Sequence, residues 1–371
     1  MSRVRVAVAP LVLGLVVLAG AVACRSDEGA GVAADVAAGS VPGTVDEMPG
    51  GTTSGTVADA APGTDPGGTT LVAPPVDGAT TIVPPPPTAR PSEPDPAPAP
   101  PPGCGAAQNG FAAVGGGRRV LVRAPDTSIR RPAVVVLHGY TGVPEGIEAT
   151  SGWTPFALER GAVVAYPEGT AVGAGGFGWN TGSGRFSTAG VDDAAYLASV
   201  IDHLVATACV DPTRILITGE SNGGAMTVIA ACSPATNARF AAFAPVIPAV
   251  DQGVLDRCGD GPPVSLTVLA GRLDRVIPYD GVYPAGQLPL LAQETWFLRL
   301  AAMRNGCGAE AVRQPVDGGE AIHAVGCPQT PLLVAIDDGT HTWPGGPSGT
   351  GSQNPGRFGA TAYLWSMFVA T

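Results

Sequence analysis

Residues 214–228 read RILITGESNGGAMTV. The run Ile215-Leu216-Ile217 is short, continuous and apolar, as a strand buried on both faces requires. It stops at Gly219, a serine sits between Gly219 and Gly223, and a helical pattern begins at once. Strand, sharp turn, serine and helix make the layout of a nucleophile elbow, in which a strained turn lifts the serine hydroxyl above a sheet edge. Glycine is needed two residues either side of the serine, because a side chain there would collide with the closely approaching strand and helix. Glycine makes up 53 of 371 residues, so a bare G-x-S-x-G match arises by chance in about one such chain in three. The flanking strand and helix, and the partners found elsewhere, are what carry Ser221 as a nucleophile.

Upstream, the chain cannot build a core until Cys104. Residues 1–23 place Arg3 and Arg5 ahead of an apolar run that ends Ala21-Val22-Ala23, the pattern of a secretory signal peptide. Cys24 follows at once, which favours a lipoprotein leader: an acylated Cys24 would become the mature N-terminus and hold the chain on a membrane. Ala21 stands where such leaders usually carry Leu. Residues 24–103 are rich in Gly, Pro, Ala and Thr, lack aromatic residues from 25 onward, and end in proline runs. Such a segment buries too little apolar surface to offset its ordering entropy and reads as a disordered tether, stiffened toward polyproline II at its end. Fully extended it would reach about 250 Å.

The chain contains no lysine; all 20 basic residues are arginine. That excludes Ser-Lys dyads, Schiff bases and P-loop lysines. A net charge of −11 argues against a nucleic-acid partner. With Cys24 set aside, the remaining cysteines are Cys104, Cys209, Cys232, Cys258, Cys307 and Cys327. An even set in an exported chain points to disulfides, and no spacing among them is a metal-site CxxC. The connectivity stays open at this level; Cys104–Cys209, Cys232–Cys258 and Cys307–Cys327 are favoured, the last two closing short loops.

Residues 104–371 suffice for a single α/β domain. Apolar runs predict strands over 118–124, 132–138, 162–166, 214–218, 241–247, 264–270 and 331–337. Helical patterns cover 147–160, 192–208, 222–232, 288–304 and 357–369, with Asp192 and Asp193 in the first turn of the second. Continuous apolar strands alternating with helices imply a mostly parallel sheet covered on both faces; the nucleophile elbow at Ser221 makes the expected fold that of an α/β-hydrolase. Right-handed crossovers then bring the loops after the strands to one edge.

Four histidines compete for the role of base. His203 lies in a helix and His323 between two cysteines. His138 ends the strand PAVVVLHG. His341, in GTHTWPGG, follows the last long strand, where the chain order Ser, Asp, His places the base. Asp274, in the loop GRLDRVIPY after the strand ending at Gly271, is the acid that would fix the His341 tautomer. Asp280 is its nearest competitor, ahead of Asp337 and Asp338. Two backbone donors would form the oxyanion hole: the N–H of Asn222, next to the nucleophile, and that of Tyr140 (or its neighbour Thr141) in HGYTG. This chemistry uses no cofactor and no metal.

LHGYTG (137–142), GWNTG (178–182), VDD (191–193), DPTRILITGESNGG (211–224), IPYDG (277–281) and GTHTWPGG (339–346) occur in this order. Together they resemble the secreted esterases that include polyhydroxybutyrate depolymerases and feruloyl esterases, over most of 104–371. The resemblance implies Ser221, Asp274 and His341 as the triad, the same three cysteine pairs, and Trp179 and Trp343 as walls of the acyl cleft. Glu220 departs from it, since apolar or aromatic residues are common at that elbow position. The expectation is an exported serine carboxylesterase acting on short-chain, hydroxyalkanoate or aryl (feruloyl-type) esters, anchored by lipid on the outer face of the plasma membrane. The alternatives are a cell-envelope acyltransferase on the same triad and a non-catalytic surface binding lipoprotein.

Overall fold

The computed structural model describes residues 109–125, 129–173, 175–182, 186–281, 289–347 and 356–370. These all belong to the unit Thr88–Thr371. The expected leader, Cys24, the tether and Cys104 lie outside the described residues.

The strands are β1 (Gly110–Val114), β2 (Arg118–Arg123), β3 (Arg131–Leu137), β4 (Val163–Pro167), β5 (Thr170–Val172), β6 (Gly176–Gly178), β7 (Val210–Glu220), β8 (Ala242–Val246), β9 (Thr267–Gly271), β10 (Ala311–Val316), β11 (Gly319–Ala324) and β12 (Leu332–Ile336). The helices are α1 (Pro144–Ser151), α2 (Trp153–Glu159), α3 (Asp193–Thr207), α4 (Ser221–Cys232), α5 (Gln252–Leu255), α6 (Gln293–Asn305) and α7 (Ala360–Val369). Ten strands form one sheet in the order β1-β2-β4-β3-β7-β8-β9-β12-β11-β10, and β5 and β6 pair separately. The centre is parallel, from β4 through β3, β7, β8 and β9 to β12. The two flanks are antiparallel. This is the α/β-hydrolase fold.

Period-two alternation explains why the central strands read as unbroken apolar runs. On β3, Ala133, Val135 and Leu137 join the core on one face with α3, α4 and α6, while Val134 and Val136 join the other with α1, α2 and α7. A side chain fully buried in this way contributes about 1.5–3 kcal/mol. All seven predicted strands are present, as β2, β3, β4, β7, β8, β9 and β12, although β7 extends well beyond 214–218 in both directions.

Two helical expectations change. The stretch 147–160 is two helices, α1 and α2, broken at Gly152, whose φ of 66° is left-handed. Asp192 lies just outside α3 as its N-cap, accepting from the Ala195 N–H at 2.9 Å. Asp193 alone occupies the first turn, where it is buried and pairs with Arg118.

Two disulfides join Cys232 to Cys258 and Cys307 to Cys327, as favoured. Cys209 is also disulfide-bonded. The first bridge ties the end of α4 to the loop after α5 across 26 residues. Replacing both its cysteines by serine is expected to destabilise the fold by about 3 kcal/mol, lowering Tm by about 6–12 °C. Thermal unfolding with and without reductant checks this.

Candidate active site

Ser221 opens α4 directly after β7 with φ 55°, a left-handed conformation rare outside glycine. The glycines around it leave no room for side chains. A Cβ on Gly219 would stand 2.7 Å from the Gly223 carbonyl oxygen and 2.7 Å from Leu137 Cβ. One on Gly223 would stand 2.5 Å from the His138 carbonyl oxygen, and one on Gly224 2.8 Å from that of Val246. The close strand–helix approach inferred for residues 219 and 223 is therefore present, and it extends to 224.

The candidate acid and base arrive on neighbouring strands. Asp274 follows β9 and His341 follows β12, and the loops after these two strands are joined before they leave the sheet. The Arg272 N–H donates to the Ile336 carbonyl at 2.9 Å and the Leu273 N–H to the Gly339 carbonyl at 2.9 Å. A Cβ on Gly271 would lie 2.4 Å from the Gly339 oxygen, so only glycine permits this approach. His341 Nε2 stands 3.1 Å from Ser221 Oγ, and His341 Nδ1 stands 2.8 Å from Asp274 Oδ2. The other Asp274 oxygen accepts the Val276 and Ile277 N–H groups, each at 2.8 Å. Asp274 is buried, while the His341 ring keeps 16% of its surface exposed, enough for a ligand to reach it. Asp280, Asp337 and Asp338 have no bond to His341 among those described; Asp337 pairs with Arg272 and Asp338 with Arg357.

Asn222, fully buried, takes the second position of α4. The N–H groups of a first helical turn have no partner within the helix and sit at the positive end of its dipole. Tyr140 lies in the loop after β3, half-buried, its ring packed edge-on against Phe186 at 5.0 Å. Thr141 beside it has φ 61°. Burial pushes the Glu220 carboxyl above the usual carboxylate range, and the neighbouring His341 pulls the other way.

The tryptophans correct an expectation. Trp179 and Trp343 are each only 2% exposed and cannot form the walls of an acyl cleft. The Trp343 indole donates to Thr361 Oγ1 at 2.9 Å and packs in the core beside α7. The Trp179 indole donates to the His138 carbonyl at 2.9 Å. Nothing in GWNTG or HTWPGG marks which way an indole turns.

His138 is a closed structural group. Its Nδ1–H donates to the Gly139 carbonyl at 2.8 Å, and its Nε2 accepts the Gly169 N–H at 3.0 Å. Both contacts require the neutral ring, and burial lowers its pKa from 6.5 to about 4. The unfolded chain takes up this proton near pH 6.5 and the folded chain only near 4. Stability present above that window is therefore lost as pH falls through it, by about 3 kcal/mol. Urea unfolding at pH 7 and pH 4.5 should show a shallower loss for His138→Gln than for the parent.

Among the described residues no group of three or more His, Cys, Asp or Glu could hold a metal ion. No described helix is long and apolar enough to cross a membrane. A cavity of about 760 Å³ lies at the opposite sheet edge, where β7, β8, β9 and β12 begin, lined by Arg214, Phe240 and Phe368 among others. It is far from the Ser221 edge and is not the site of the relay.

Residues 149–256 match the model of the prolyl oligopeptidase family. A putative esterase, NocK, of Nocardia uniformis subsp. tsuyamanensis is 30% identical over 257 residues, covering 64% of this chain and 72% of that protein. Feruloyl esterase B of Piromyces equi is 30% identical over 202 residues, covering 52% of this chain and 36% of that protein, so the match spans about a third of its length. Poly(3-hydroxyalkanoate) depolymerase C of Paucimonas lemoignei is 33% identical over 116 residues, 31% of this chain and 27% of that protein. The chain belongs to the esterase family of the α/β-hydrolase fold.

Proposed function

We propose that this chain hydrolyses carboxylic esters with Ser221 as nucleophile, His341 as base and Asp274 as the acid that orients it. The observation that carries this reading is the unbroken relay, 3.1 Å from Ser221 Oγ to His341 Nε2 and 2.8 Å from His341 Nδ1 to Asp274 Oδ2. His341 takes the serine proton as Oγ attacks the ester carbonyl, and Asp274 stabilises the imidazolium that forms. The N–H groups of Asn222 and Tyr140 receive the charge on the tetrahedral oxygen. His341 then protonates the leaving alkoxide, and water, activated by the same ring, hydrolyses the acyl-enzyme.

The names of the relatives point to substrates among aryl esters of the feruloyl kind and hydroxyalkanoate esters. Disulfides at Cys232–Cys258 and Cys307–Cys327 support an oxidising, extracellular setting. The leader over 1–23, followed at once by Cys24, supports a lipid anchor on the outer face of the membrane.

A fluorophosphonate probe tests the assignment. It is expected to label the parent protein covalently and to leave Ser221→Ala unlabelled. Folded parent protein that takes up no probe, or equal labelling of the variant, overturns the reading. Turnover of a panel of aryl, short-chain and hydroxyalkanoate esters then ranks the substrates, and product formation that requires an alcohol acceptor would mark a transferase instead.

A further inference from the structure

The sheet holds the nucleophile elbow and the HGYTG loop together only as far as its last rungs. β3 and β7 are paired up to Leu137 and Gly219, and there the register ends. Beyond it, the loop carrying Tyr140 and the helix carrying Asn222 leave on separate paths. An oxyanion hole demands that donors from both meet within about 3 Å of one oxygen. Something other than the sheet has to set their spacing.

Trp179 bridges that gap. On one side, the Asn222 side chain clamps its backbone: Oδ1 accepts the Trp179 N–H at 2.7 Å, and Nδ2 donates to the Trp179 carbonyl at 3.1 Å. On the other, its indole N–H reaches the His138 carbonyl at 2.9 Å. The His138 ring stacks obliquely on the indole, with centroids 5.1 Å apart. It also donates to the Gly139 carbonyl, which takes the Gly142 N–H at 3.0 Å as well. The turn around Tyr140 is thus closed by the residue the indole holds.

The surrounding backbone is packed to match. A Cβ on Gly178 would lie 3.0 Å from the Tyr140 ring and 3.4 Å from Asn222 Oδ1. One on Gly176 would lie 2.5 Å from the Thr141 carbonyl, and the Phe177 N–H donates to the Gly142 carbonyl at 3.1 Å. Asn222, Trp179 and His138 are all buried, so water does not compete for these bonds.

We propose that Trp179, gripped by the Asn222 side chain and reaching the His138 carbonyl, is a positioning residue that fixes the spacing between the two halves of the oxyanion hole. The proposal rests on the esterase reading above and adds to it a brace that touches no substrate. It also gives Asn222 two separate tasks, the backbone as donor and the side chain as clamp.

Trp179→Phe keeps an aromatic ring at the site and removes the indole N–H together with the rest of the pyrrole ring. Misplaced donors weaken the transition state more than the bound ester. On p-nitrophenyl acetate, kcat is expected to fall by about ten- to a hundredfold with KM unchanged. A trifluoromethyl ketone, whose adduct with Ser221 presents an oxyanion to the hole, should lose affinity by a similar factor. The acid limb of the pH–rate profile should not move, because the Ser221–His341–Asp274 relay is untouched.

A folded Trp179→Phe with parental kcat overturns the proposal. So does a fall in kcat/KM carried by KM alone, with the ketone bound as before. Should Trp179→Phe not fold, Asn222→Ser releases the clamp from the other side and carries the same measurements. If both fold, the double variant should lose less than the product of the two single losses. Turnover that survives Ser221→Ala would refute the esterase assignment itself. An inactive Ser221→Ala alongside a fully active Trp179→Phe would refute the brace alone.

Discussion

Ser221→Ala is expected to lower kcat on an aryl ester by about 10⁴- to 10⁶-fold, with little change in KM or in Tm. In the proposed mechanism Ser221 Oγ forms the covalent bond, so no neighbouring group can substitute for it. His341→Ala should fall to a similar level, because an unactivated hydroxyl is a poor nucleophile at neutral pH. The double variant should be scarcely worse than either single one, since groups that act as one unit are lost as one unit. A residual rate above water would remain from the backbone donors of residues 140 and 222. Stopped assays with purified, folded variants decide the matter; Ser221→Ala within tenfold of the parent is incompatible with the mechanism.

Asp274→Asn is the second large effect, expected at about 10⁴-fold in kcat. The reason lies in what holds the carboxylate. One oxygen already accepts two backbone N–H groups, from Val276 and Ile277, and the other faces His341 Nδ1. An asparagine must keep its oxygen toward those two donors, because turning its amide around would set N–H against N–H. Its NH₂ then faces Nδ1 and drives the imidazole proton to Nε2. A protonated Nε2 cannot accept from Ser221 Oγ, so the base is switched off with its geometry intact. The folded variant should show unchanged circular dichroism and the same lost turnover on every ester tested. A kcat within tenfold of the parent would mean that Asp274 does not orient the ring.

The fold and the relay were legible in the sequence to the extent that burial leaves a periodic trace. The six central strands carry apolar runs because both faces are covered, and Ser221, Asp274 and His341 follow β7, β9 and β12 among them. The edge strands escaped notice for the opposite reason. β10 is exposed or half-buried throughout and contains Pro315, and β5 and β6 have three residues each. The break between α1 and α2 was hidden because Gly152 interrupts an otherwise helical pattern by its backbone conformation alone. The fate of Trp179 was not readable either. An aromatic residue in a loop of Gly, Asn and Thr can face solvent or turn inward, and only the Asn222 clamp, made across 43 positions of chain, decides which. The resemblance supplied the wrong role for both tryptophans because it speaks to which residues recur, not to where their rings point.

The order in which the relay is assembled has a consequence for synthesis. β12 is the last of the described strands to leave the ribosome, and it carries the imidazole into place by pairing with β9. On the proposed mechanism, a nascent chain halted before that point would hold Ser221 and Asp274 and still lack the base. Vectorial growth thus leaves Ser221 without its proposed base until β12 and the loop after it have emerged.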